Sequence, residues 1–311
     1  MQNKDIPNIA PPKRVFNEEH IIEGHQKPRT FAVKRFAHEG ARNNEFKTLS
    51  DISKELSHDC IVKVYCETPD RADHEKPYGI AFKLEGPSVE ERMTAVGLVP
   101  RSGCIHILVH ILRLIDAVSK LHRLGFHCDI KPANILLKGS GDGFVLIDFE
   151  HFIWIGEVAD GQIRGCSNER DPPPSPNNKE DGKSDVWTLG CFITELLIWW
   201  RPGDAGGRPA VDTFRKELAD QQSIFQREPP YDKTEYFYVW PKSGHPEVIK
   251  AVRERLEKLE CCPVIGSLAS ILWEMFNVDP VLRPTAKEVY DKFKECIQAI
   301  LGPINSSMPI C

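Results

Sequence analysis

Residues Gly125 to Glu150 read GFHCDIKPANILLKGSGDGFVLIDFE. Asp129, Lys131 and Asn134 are crowded into a short run after a glycine, which places them on a loop rather than on one helix face. NILLK and GFVLID read as two short strands joined by the turn GSGDG. A hairpin of that kind returns Asp148 to the side of Asp129 and Asn134. Two carboxylates, a carboxamide and an ammonium at one mouth suit a hard divalent cation and a phosphate. They also leave one carboxylate to accept a proton.

HCDIKPAN resembles the catalytic loop of protein kinases, and DFE resembles the DFG motif that follows it. The resemblance implies that Asp129 is the base for a substrate hydroxyl and that Lys131 neutralises charge on the moving phosphoryl group. It implies Mg²⁺ on Asn134 and Asp148, with ATP as phosphoryl donor. Cys128 stands where the family most often has Arg, a residue that pairs with a phosphate on the activation segment. Its loss implies activity independent of that switch, and Cys128 itself reads as packing. Glu150 replaces the glycine of DFG, stiffening the backbone and adding a carboxylate beside the metal ligands.

Composition fits a globular chain: 311 residues, 41% hydrophobic, 27% charged, net charge −5. No basic block marks a nucleic-acid binder, and no apolar run reaches the ~18 residues of a membrane span. The polar, Pro-rich start MQNKDIPNIAPPKR is not a secretory signal. The ten cysteines are scattered without C-x-x-C spacing, as free thiols of a reducing compartment would be. A cytoplasmic protein is the expectation.

Before the loop, EEHIIEGHQKPRTFAVKRF reads as two strands around the turn GHQKP, with apolar–charged alternation in TFAVKRF. FAVK resembles the family's VAIK strand. Lys34 would then hold the α- and β-phosphates and Ala32 would pack on adenine. The Gly-rich loop expected ahead of that lysine is replaced by PPKRVFNEEH, without a glycine. NNEFKTLSDISKEL, Asn43 to Leu56, has helical spacing and resembles the helix whose glutamate orients the lysine. Glu45 is the choice, with Asp51 and Glu55 as alternatives. IVKVY (61–65) and YGIAFKL (78–84) read as strands, the second leading into a hinge. There Phe82 and Leu84 would contact adenine, with Leu136 from the other side.

After Cys104, Leu108, Ile111, Ile115, Val118 and Leu121 mark a helix to Leu124. His106 and His110 share a face of it, but no third ligand supports a metal. Residues His151 to Asn178 fit the activation segment. GCSNERDPPPSP aligns with the family's GT…APE, putting Pro173 where a glutamate pairs with a late arginine, here Arg283. KSDVWTLGCFITELLIWW resembles the central helix of the larger lobe, with Asp185 capping the catalytic loop from beneath. Val248, Val252, Leu256 and Leu259 mark an amphipathic helix, and YFYVWP reads as core packing ahead of a docking surface. NVDPVLRPTAKEV resembles the DPxxRP motif, followed by a last helix with Val289, Phe293, Ile297 and Ile300 inward.

The expected fold is α+β and two-lobed, protein kinase-like, with a small β-sheet N-lobe carrying one helix and a larger, mainly helical C-lobe. The expected boundaries are a flexible arm over 1–14, a kinase-like domain over 15–301 (N-lobe about 15–84, C-lobe about 87–301) and a tail over 302–311. The resemblance implies an ATP- and Mg²⁺-dependent serine/threonine kinase acting on a protein hydroxyl, since Lys131 follows Asp129 by two. The alternative is a pseudokinase, a binding or scaffold module, favoured by the missing glycines, DFE and the lost APE glutamate.

Overall fold

The alternation in TFAVKRF becomes a strand. In a computed structural model of the chain, the described residues are 15–20, 29–68, 78–83, 85–95, 104–139, 143–157, 172–173, 182–200, 206–224, 237–239, 247–260 and 263–301. They divide between two compact units, Met1–Glu55 with Val62–Glu85, and Leu56–Ile61 with Gly86–Cys311.

The first unit is a four-stranded antiparallel sheet and one helix. The strands are β1 (Val15–His20), β2 (Arg29–Phe36), β3 (Val64–Thr68) and β4 (Tyr78–Lys83), in the order β1-β2-β4-β3. β1 pairs with β2 from Val15 opposite Lys34 to His20 opposite Arg29. The stretch expected to hold a phosphate loop is therefore a strand, and it starts three residues ahead of the EEH reading. The GHQKP turn lies outside the described residues. β3 begins at Val64, three residues later than the sequence suggests, because Ile61 instead makes a parallel bridge to Leu146 in the second unit's own chain segment set.

Cross-strand partners share a sheet face. Ala32 opposite Phe82 and Lys34 opposite Ile80 set one face; Phe31, Val33 and Ala81 cluster on the other, with Cys66 packed against them. Helix α1 (Glu39–Glu55) starts four residues before the expected Asn43. Its buried residues Arg42, Glu45, Leu49 and Ile52 recur every three or four positions, so one stripe faces inward.

The second unit is mainly helical. α2 (Val89–Thr94) opens with a capping box: Ser88 Oγ accepts from Glu91 N at 3.1 Å and Ser88 N donates to Glu91 Oε2 at 2.9 Å. α3 (Cys104–Leu121) stops three residues short of the expected Leu124. Its apolar stripe, including Ile111, Ile115, Val118 and Leu121, is buried. The chain then passes through β5 (Gly125–Phe126), the hairpin β6 (Ile135–Leu137) and β7 (Phe144–Leu146), and β8 (Ile153–Trp154), which pairs with β5. Gly125 is required here, since a Cβ would collide with Ile153 O across the β5–β8 pair.

Helix α4 (Gly182–Trp200) is buried all round from Asp185 to Trp199, so it runs through the inside of the unit. Three helices went unforeseen: α2, α5 (Gly207–Ile224), which starts inside the turn-rich RPGDAGGRPA, and α7 (Pro263–Met275). α5 buries Val211, Phe214 and Leu218 and exposes Asp212, Lys216 and Asp220, an amphipathic pattern that the glycines and proline at its start obscure. Between α5 and α7 lie β9 (Tyr238–Val239), β10 (Glu247–Val248) and α6 (Lys250–Glu260). Val248 thus belongs to a two-residue ladder, opposite Tyr238, and not to the helix it was expected to mark. Phe237 is core: its ring stacks on Phe276 at 5.5 Å and meets Phe214 edge-on at 5.6 Å. α8 (Ala286–Leu301) closes the chain behind a second capping box, with Thr285 N donating to Glu288 Oε2 at 2.7 Å. Val289, Phe293 and Ile297 are buried as expected, and the Ile300 side chain lies outside the described residues. No described helix is long and apolar enough to cross a membrane.

Candidate active site

In the first unit, Lys34 and Glu45 meet. Lys34 Nζ donates to Glu45 Oε2 at 2.6 Å, and the two side chains are 6% and 1% exposed. A charged pair this deeply desolvated persists only with close geometry. The pairing singles out Glu45 among the three carboxylates considered. Asp51 instead pairs with Lys54 on the surface at 2.8 Å. Ala32 lies two residues from Lys34 on the same sheet face, directly across from Phe82. Leu84 lies outside the described residues.

In the second unit, a 3₁₀ turn over Pro132–Asn134 follows the loop and feeds β6. Asn134 Nδ2 donates to the Asp129 carbonyl at 2.9 Å and to Asp129 Oδ2 at 2.6 Å. Lys131 Nζ reaches the same carboxylate at 3.0 Å. Asp129 is therefore held by a carboxamide and an ammonium at once. The hairpin returns as its sequence suggests: Ile135 faces Leu146, and Ile147 N donates to the Asn134 carbonyl at 3.0 Å, setting Asp148 one residue further on. Leu136 faces Val145 in the hairpin and bridges to Ser88.

Among the described residues, two that are not glycine sit in the left-handed region, Cys128 at φ 62° and Asp148 at φ 67°. Side chains there cost about 1–2 kcal/mol and need outside support. For Cys128 the support is Asp185, whose carboxylate accepts from His127 N and Cys128 N, both at 2.8 Å. Asp185 also bonds His122 Nε2 at 3.0 Å. A Cβ on Gly182 would stand 2.5 Å from His122 Nδ1, so the glycine makes room for that ring. Burial alone would raise the Asp185 carboxyl; the bond from His122 and the charges and amide around it hold it below the usual value.

His127 links the two ends of the loop. Its Nδ1 accepts from Asp129 N at 3.2 Å and its Nε2 donates to the Ile147 carbonyl at 3.0 Å. Both bonds require the neutral ring with the proton on Nε2. Burial pushes the imidazole below its ordinary value, against the opposing pull of Asp185, Asp129 and Asp148. Phe149 packs edge-on to His127 with ring centroids 4.7 Å apart. The role of His122 had no local sequence signal, because Asp185 is 63 residues away, whereas His127 stands in the loop motif itself.

Cys128 is buried, with Sγ 3.7 Å from the Phe126 carbonyl. His110, on the helix face once weighed for a metal, packs edge-on against Phe144 at 6.1 Å. Pro173 is buried. Arg283 donates to the Asn277 carbonyl at 3.0 and 2.9 Å and to the Lys183 carbonyl at 2.7 Å, and lies 5.1 Å over the Trp187 ring. Lys183 Nζ donates back to the Arg283 carbonyl. The rest of the expected activation segment beyond Glu157, including Ser167 and Ser175, lies outside the described residues.

The first unit thus carries a buried Lys–Glu pair on its sheet, and the second carries an Asp–Lys–Asn loop followed in the sequence by Asp-Phe-Glu. Residues 21–293 match the model of the protein kinase domain family, and the chain belongs to that family. It is similar to the serine/threonine-protein kinase PknJ of Mycobacterium tuberculosis, 27% identical over 59% of this chain and 32% of that one. It is also similar to the serine/threonine-protein kinase PknL of the same organism, 26% identical over 56% of this chain and 44% of that one. A human relative, dual specificity mitogen-activated protein kinase kinase 7, is 28% identical over 64% of this chain and 46% of its own. The chain thus spans less than half the length of these relatives.

Proposed function

We propose that the chain is an ATP- and Mg²⁺-dependent serine/threonine kinase that transfers the γ-phosphoryl group to a protein hydroxyl. The observation that carries this reading is the Asp129 carboxylate, held by Asn134 at 2.6 Å and Lys131 at 3.0 Å at the end of a hydrogen-bonded hairpin. In this reading the substrate oxygen attacks the γ-phosphorus, the bond to the β-phosphate oxygen breaks, and the hydroxyl proton passes to Asp129. Lys131 balances charge on the phosphoryl oxygens, and Lys34, oriented by Glu45, holds the α- and β-phosphates. Ala32, Phe82, Leu84 and Leu136 bound the adenine. Phosphoryl transfer depends chiefly on positioning and charge, so residues held this tightly supply most of what is needed.

Asn134 and Asp148 are the residues to hold Mg²⁺. Both amide hydrogens of the buried Asn134 are spent on Asp129, which leaves its carbonyl oxygen as the ligand atom. With the Asp148 carboxylate this makes an all-oxygen donor set, suited to a hard cation. The cation would neutralise charge on the phosphates.

The pseudokinase reading draws on one specific observation. The strand β1 ahead of Lys34 has no glycine, and none precedes it in the chain. The experiment that separates the readings is the melting temperature with ATP, with and without Mg²⁺, for the wild type and Asp148→Asn, beside phosphate transfer to a generic protein substrate. A Mg²⁺-dependent rise lost in the variant, with phosphoserine or phosphothreonine formed, supports the kinase. No rise at millimolar ATP sinks it in favour of the scaffold.

A further inference from the structure

Asp148 is left-handed, and a residue other than glycine keeps such a backbone only while its neighbours hold it there. For Cys128 the hold is Asp185. For Asp148 it starts two residues earlier, at the fully buried Leu146. The Leu146 N–H donates outside the β6–β7 hairpin, to the Cys60 carbonyl at 2.8 Å, and Ile61 makes a parallel bridge to the same residue. Ile147 N goes the other way, to the Asn134 carbonyl at 3.0 Å. The strand end that leads into Asp148 is gripped from two sides, by the catalytic loop and by residues 58–61.

A histidine holds residues 58–61 in turn. Ile61 N closes the turn on the His58 carbonyl at 3.1 Å, and Cys60 N donates to His58 Nδ1 at 3.1 Å. Nδ1 is therefore an acceptor and the ring proton lies on Nε2, which donates to Asp116 Oδ2 on α3 at 3.1 Å. Lys120 Nζ meets the same oxygen at 2.7 Å from one helical turn further on. The His58 and Asp116 side chains are 12% and 23% exposed, so most of this junction is shielded from water. A relay of hydrogen bonds thus runs from α3 through His58 and Cys60 to Leu146, all of it within the second unit.

We propose that His58 is a positioning residue for Asp148. By clamping the 58–61 turn to Asp116 it fixes Leu146, keeps Asp148 left-handed and aims its carboxylate at the divalent cation. The inference rests on the kinase reading for the role of Asp148 and goes beyond it in naming what orients that residue from outside the site. Without the imidazole, the Cys60 peptide can turn, Leu146 loses a fixed acceptor, and Asp148 relaxes toward an ordinary backbone. Groups that orient metal ligands in this way typically carry about ten- to hundredfold in metal affinity or activity.

The test uses the full chain as wild type, His58→Ala, Asp116→Ala, Asp116→Asn and Arg255→Ala. Asp116→Asn keeps an oxygen to accept from His58 Nε2. Arg255, paired with Glu217 at 2.7 Å and outside the relay, controls for a loss of stability alone. Two quantities are read at a temperature where circular dichroism shows every variant folded: amide hydrogen exchange at Leu146, and the Mg²⁺ concentration that half-saturates binding of a fluorescent ATP analogue. The expected result for His58→Ala and Asp116→Ala is faster exchange at Leu146 and a Mg²⁺ half-point raised about tenfold or more. Asp116→Asn should recover most of both, and Arg255→Ala should change neither. A wild-type Mg²⁺ half-point in His58→Ala and Asp116→Ala, beside a Mg²⁺-dependent wild type, overturns this inference and leaves the kinase reading standing. An equal rise in Arg255→Ala overturns it too, because the effect is then general destabilisation. A wild type whose ATP binding ignores Mg²⁺ sinks the kinase reading, and the role given to His58 with it.

Discussion

At the scale of single residues, the centre is built from groups that each have one job and little freedom. Asp129 is the clearest. Asp129→Asn keeps the size and most of the hydrogen bonding while removing the proton acceptor. Phosphate transfer should fall by about 10²–10⁴, while the ATP- and Mg²⁺-dependent rise in melting temperature persists. A loss of that rise as well would mean that Asp129 supports binding and not the chemical step. Lys34 and Glu45 behave differently, because each is the other's main neutraliser at 2.6 Å. Glu45→Gln should cost about 3 kcal/mol of stability, as expected when a buried pair is broken, and should weaken ATP binding, both readable in one melting series. HCDIKPAN declared these loop residues directly, since their types and order are the chemistry. Glu45 was a choice among three acidic residues, and only the side-chain contact singles it out.

At the scale of elements, the catalytic loop depends on a helix far along the chain. Asp185, near the start of α4, accepts the N–H groups of His127 and Cys128. Asp185→Ala leaves two buried donors without their acceptor and removes the hold on a left-handed Cys128. The expected loss is about 3 kcal/mol or more, with weaker transfer, measured by urea denaturation and activity together. Asp185→Asn, which keeps an acceptor, should recover part of it. A second junction joins α2, α4 and α5. Arg215 binds Glu90 at 2.7 and 2.9 Å and Glu195 at 3.2 and 3.3 Å, and Glu195 is almost fully buried. Burial works against the Arg215 charge, but its two carboxylates hold it firmly protonated. Arg215→Ala should destabilise the protein by about 3–5 kcal/mol, read as a lower urea midpoint. These elements differ in how visible they were. α3 and α8 carry long apolar stripes and read cleanly. α5 begins at Gly207 among turn residues, which hide its apolar stripe of Val211, Phe214 and Leu218, and α7 is apolar over most of its length.

At the scale of the whole molecule, stability should carry the signature of the buried histidine. The His127 value in the folded chain is lowered from 6.5, so the unfolded chain binds its proton more readily. Stability then rises with pH across the interval between the two values: the contribution is complete above about pH 6.5 and is lost as pH falls below it. The urea midpoint should therefore drop between pH 7.5 and 5.5. His127→Phe, which cannot titrate, should start lower and show a shallower slope; an unchanged slope would remove His127 as the cause. By itself the sequence determined the family, the sheet-plus-helix and mainly helical division, and the oxygen-rich loop, because those follow from residue types at short, ordered spacings. The tertiary structure alone decided among the three carboxylates offered to Lys34, added His122 to Asp185 beneath a left-handed Cys128, and gave Arg283 the Asn277 and Lys183 carbonyls. Those partners, as much as 100 residues away for Arg283 and Lys183, are chosen by burial and hydrogen-bond satisfaction, which no local pattern encodes.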